Sequence, residues 1–111
     1  MTQQLDRNKA YIQDILNAIQ LCGIFIQSMT FEQFEKDLKT VSAVQHQILI
    51  IGEATKRLST EFRNQHSNIP WKAMAGMRDI LIHSYENADL GEIWKTIRDV
   101  MPKIAINLSK I

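Results

Sequence analysis

An all-α fold, an up-and-down four-helix bundle with one short additional helix, is what this sequence predicts. Three observations carry that reading. Apolar residues recur at steps of three, four and seven along most of the chain. Only four Gly and two Pro interrupt its 111 residues, too few for a β protein that turns roughly every ten residues. The polar breaks between periodic stretches are short, which favours antiparallel neighbours.

Residues 5–26 place Leu5, Ile12, Ile15, Leu16, Ile19, Ile24 and Ile26 on a helical stripe, with Gly23 weakening the last turn. Thr30 opens TFEQ, a capping-box pattern in which Gln33 reaches back, so a short helix is expected from Phe31. Phe31 and Phe34, three apart, would anchor it. Leu38, Val41, Val44, Ile48, Ile51, Leu58 and Phe62 continue the period and predict the longest helix, over 38–62. Lys56, Arg57 and Arg63 collect at its C-terminal end, where cations suit the helix dipole. NQHSN at 64–68 ends it. Pro70 stands where a helix begins, and Trp71, Met74, Met77 and Leu81 follow at helical steps until Asn87 breaks the run. Asp89 and Glu92 signal another start, and Leu90, Ile93, Trp94 and Ile97 open a last amphipathic helix. Pro102 falls inside that pattern, so a kink or break is expected near Met101.

The length suits one domain, residues 1–111, and 45% apolar content with 23% charged argues against disorder. Cys22 is the only cysteine, which rules out an internal disulfide and fits a reducing, cytoplasmic setting; a small residue in a helix face is its ordinary role. No signal peptide is visible, and ILIIG at 48–52 is far too short to span a bilayer. A net charge of +1 gives no general affinity for polyanions, so any contact with nucleic acid must come from a local patch. Lys56, Arg57, Lys72 and Arg78 could form one. His46 and His66 have no Cys or acidic partner at ligand spacing, so no metal site and no cofactor is expected. Met74, Met77 and Met101 read as core filler, and Trp71 and Trp94 as core anchors whose indole N–H groups need partners.

The chemistry concentrates in MRDILIHSY, residues 77–85. On an ideal helix Arg78 and Tyr85 lie within about 20° of each other and Asp79 stacks on His83, while Arg78 and His83 are about 140° apart. Convergence of that pair requires a distorted last turn or a second copy of the helix from a dimer partner. Arginine offers a fixed charge and a planar fork of donors matched to phosphate oxygens. Histidine transfers protons near neutrality. Together they suffice for RNA cleavage without a metal: the histidine serves the 2′-hydroxyl or the leaving 5′-oxygen, and the arginine the charge developing on phosphorus. Spacing alone favours a plainer reading, a surface ion pair in which Asp79 holds Arg78 or His83.

The surrounding text is more specific. IIGEATKRLS at 50–59, NIPWKAMAGMRDILIHSY at 68–85 and the Ile-Trp at 93–94 together resemble the HEPN-type, HepT-like toxins that are paired with minimal nucleotidyltransferase antitoxins. The resemblance spans nearly the whole chain and includes the motif Arg-x4-His-x-Tyr. It implies a dimeric helical endoribonuclease with Arg78 and His83 as the catalytic pair and both protomers contributing to one cleft. It further implies Asp79 in a supporting place and Tyr85 as the side chain that the partner nucleotidyltransferase modifies with AMP. The alternative from another class is a non-catalytic helical module that binds a nucleotidyltransferase through the same polar cluster. A bundle holding a metal or haem lacks the ligand pattern. Glu53, inside Gly-Glu-Ala, could support Arg78, although an i, i+4 contact with Arg57 has the better orientation. Gly52 and Ala54 suit close helix approach.

Overall fold

The computed structural model describes residues 2–84 and 89–111, with the backbone alone at positions 2, 80 and 82–84. Among the described residues every regular element is helical. In chain order these are α1 (Thr2–Phe25), α2 (Phe31–Lys36), α3 (Leu38–Arg57), α4 (Thr60–Gln65), α5 (Trp71–Ala75), α6 (Met77–Ser84), α7 (Leu90–Lys95), a π-helical turn (Thr96–Val100) and α8 (Met101–Leu108). They form an all-α, up-and-down bundle of four rods: α1; α3 with α4; α5 with α6; and α7 through α8. α1 packs along α3 and against α8, α3 also carries α5 and α6, and the short α2 bridges α3 and α7. No described helix is long and apolar enough to cross a membrane.

The inward stripe of α1 is Ile12, Ile15, Ala18, Ile19 and Cys22; with Ile26, just beyond the helix, it meets Val41, Val44, Ile48 and Ile51 of α3 in one core. Leu5, Ile24 and Leu38, which the period placed inward, are exposed instead. Ile24 is two positions from both Cys22 and Ile26, so about 200° of helical turn directs it away from that stripe. The capping box forms as expected: Gln33 N donates to Thr30 Oγ1 at 3.2 Å and Thr30 N donates to Gln33 Oε1 at 2.9 Å. It seats Phe34, fully buried, against Trp94, with ring centroids 5.2 Å apart. Phe31 meets the same indole edge to face.

The long helix expected over 38–62 is two helices. Leu58 turns extended and buried, and Ser59 caps α4 by accepting from Phe62 N at 3.2 Å. Asn8 of α1 makes the break possible. Its Oδ1 accepts from Ser59 N at 3.2 Å, and its Nδ2 donates to Ser59 Oγ at 3.1 Å. The amide is thereby satisfied although Asn8 is only 2% exposed. Leu58 and Phe62 are four apart, so periodicity alone runs straight through the junction.

Trp71 anchors the next rod, its indole N–H donating to the carbonyls of His66 at 2.9 Å and Arg63 at 3.1 Å. Met74, Met77 and Met101 are buried, as core filler should be. The expected disturbance before Pro102 is the π turn: Met101 N donates to Thr96 O, one residue further back than in an α-helix. Proline has no N–H for the Arg98 carbonyl and its ring crowds that carbonyl, so widening the preceding turn lets the helix pass without ending. Asp89 caps α7 by accepting from Glu92 N at 3.0 Å. The helix break expected at Asn87 lies outside the described residues.

Candidate active site

Arg78 stands in the first turn of α6, and its position follows from two glycines. Gly76, in right-handed helical conformation, joins α5 to α6 and accepts from Asp79 N at 2.9 Å, so the two short helices run on almost as one rod. Gly52, buried in α3, lies beneath the junction. A Cβ there would stand 3.4 Å from Arg78 Cβ and 3.5 Å from Ala75 O. The two helices therefore touch through backbone, with Ala54 and Thr55 buried in the same stretch of α3. Thr55 returns its hydroxyl to Ile51 O at 2.7 Å and exposes no polar atom to the seam.

The close approach brings Glu53 to Arg78. Nη1 donates to Oε1 at 3.1 Å, and the two side chains remain 46% and 38% exposed. Of the two partners the sequence offered Glu53, Arg78 and Arg57, the structure selects Arg78. Glu53 pairs with Arg78 across the helix seam, not with Arg57 one turn along α3, and Arg78 is held by Glu53, not by its neighbour Asp79. Small residues on either side of an acid mark a helix crossing, and that was the available signal in Gly-Glu-Ala. Among the described residues the guanidinium makes no other hydrogen bond.

Asp79 is exposed. His83 belongs to α6, which stays α-helical from Met77 to Ser84. The backbone between positions 78 and 83 is therefore undistorted, and the two positions keep their separation of about 140°. The His83 side chain and the whole of Tyr85 lie outside the described residues. Lys56, Arg57 and Lys72 are exposed, His46 is exposed, and the half-buried ring of His66 packs on Phe62 at 4.7 Å. Among the described residues no group of three or more His, Cys, Asp or Glu could hold a metal ion.

An all-α bundle of this kind is HEPN-like in fold. Residues 15–111 match the family described as ribonuclease HepT-like, and the chain belongs to that family. It is 40% identical over 104 residues to a protein of Thermococcus cleftensis named a probable ribonuclease HepT, covering 94% of each chain. It is 38% identical over 103 residues to a protein of Caldanaerobacter subterraneus subsp. tengcongensis named as a candidate RNase, covering 93% of this chain and 92% of that one. A Methanocaldococcus jannaschii protein, named a gamma-glutamylcyclotransferase and candidate RNase, is 40% identical over 103 residues, or 46% of its own length. No solved structure matches.

Proposed function

We propose that residues 1–111 form a single HEPN-like domain that cleaves RNA without a metal, as the toxin of a toxin–antitoxin module in the cytoplasm. The observation that supports the reading is the family match over residues 15–111, together with an Arg78 side chain that is 46% exposed and that the resemblance makes the catalytic arginine. His83 moves the proton of the 2′-hydroxyl or of the leaving 5′-oxygen, Arg78 balances the charge on phosphorus, and Asp79 supports them. Because α6 is regular through both positions, the site is completed across a C2 homodimer, in which the same patch meets itself.

Mixing two inactive variants tests this. Arg78→Ala and His83→Ala should each lose ~10²–10⁴ in rate. A mixed dimer of the two carries one intact Arg78 and one intact His83 on different protomers, so activity should return on mixing. Cleavage should continue in EDTA and leave a 2′,3′-cyclic phosphate. Mixtures as dead as their components, a fully active monomer at micromolar concentration, or complete dependence on a divalent ion would count against the mechanism. An inactive unmutated protein would favour the non-catalytic binding module.

Control is assigned to a minimal nucleotidyltransferase partner that transfers AMP to Tyr85. Seven residues after Arg78, a phosphodiester there adds negative charge and a nucleoside's bulk on the arginine's side of the motif, opposing RNA on both counts. Incubation with the cognate partner and ATP, followed by mass spectrometry, should find AMP on Tyr85. An unmodified Tyr85 in a fully neutralised toxin would mean that complex formation alone inhibits.

A further inference from the structure

From the Glu53–Arg78 pair we infer that Glu53 is a positioning residue for RNA cleavage: it fixes the guanidinium of Arg78 in place before the substrate binds. The inference rests on the reading of Arg78 as catalytic.

Stability does not account for the pair. With both side chains more than a third exposed, a single 3.1 Å contact is well screened by solvent. Its consequence is geometric. An arginine has a long, freely rotating side chain, and ordering it during reaction would add to the barrier; ordering it beforehand does not. α3 supplies a rigid post for that purpose. Gly52 lets α6 lie directly on it, Thr55 keeps its own hydroxyl within α3, and Glu53 is the residue left at the seam to reach Arg78. Among the described residues only Nη1 is engaged, and the side chain is 46% exposed, which leaves donors for phosphate oxygens.

The charge acts alongside the geometry. A carboxylate 3.1 Å from the guanidinium offsets part of its attraction for an ordinary phosphodiester, which bears one negative charge. As the 2′-oxygen adds to phosphorus a second negative charge accumulates, and the carboxylate opposes that charge as well. What Glu53 contributes to turnover is therefore the alignment of the arginine, at a cost in affinity.

The test separates kcat from binding, using a labelled RNA oligonucleotide for turnover and its 2′-deoxy counterpart, which lacks the nucleophile, for affinity. Glu53→Ala should lower kcat by roughly ten- to a hundredfold while the 2′-deoxy oligonucleotide binds as tightly as before or tighter. Glu53→Gln keeps an acceptor for Nη1 and should recover much of kcat while retaining the tighter binding. It is isosteric, so it carries the test if Glu53→Ala fails to fold. In an Arg78→Ala background the Glu53→Ala change should add nothing. An unchanged kcat, or kcat and affinity falling together, overturns the inference. Full activity in Arg78→Ala alone would instead overturn the assignment of Arg78, a distinguishable result.

Discussion

Cys22 is fully buried, and burial pushes its thiol from an ordinary 9.0 up to about 12. The folded protein keeps this proton where the unfolded chain releases it. The thiol's contribution to stability is therefore complete below about 9 and is lost progressively as pH rises from there towards 12. Urea midpoints taken across that interval should fall more steeply in the unmutated protein than in Cys22→Ala, by up to about 1.4 kcal/mol per pH unit. Equal slopes would show that the thiol titrates normally. The residue thus answers its sequence reading, a small core side chain, and the same burial keeps it away from chemistry. Glu53 shows the converse. Its helical neighbours and its charge suggested a local partner, and a residue 25 positions away took it.

Among elements, the crossing of α3 and α6 matters most to the candidate site, and Gly52 sets how near they lie. The 3.4 Å from its virtual Cβ to Arg78 Cβ is ordinary contact, so a methyl fits. Gly52→Ala should keep the fold and gain up to about 1 kcal/mol from the helix preference of alanine. Gly52→Leu has no such room, and thermal melts should show a loss of about 1–3 kcal/mol as the helices are forced apart. RNA cleavage should fall with it, because Arg78 would leave its post. Equal stability in the two variants would mean that the seam is loose. The α3–α4 break and the π turn show how far local rules reach. Pro102 announced its disturbance because a missing N–H is a property of one residue. The break at Leu58–Ser59 depends on Asn8, 51 positions from Ser59, satisfying Ser59 from another helix.

On the scale of the whole molecule, the rods, their order and their inward faces were written into the sequence. Helical periodicity, capping residues and proline chemistry act within a few residues of themselves, and burying the resulting stripes leaves few arrangements besides a bundle. The motif at 77–85 and its family resemblance were equally legible, because they are strings. Which stripe residues stay outside, as Leu5 and Leu38 do, depended on tertiary packing. So did the split of α3 from α4 and the partner of Glu53. Each of these is a contact between segments distant along the chain, and helical period carries no term for it. Positions 78 and 83 stay about 140° apart because α6 remains regular through both, and only packing with another chain can bring them together.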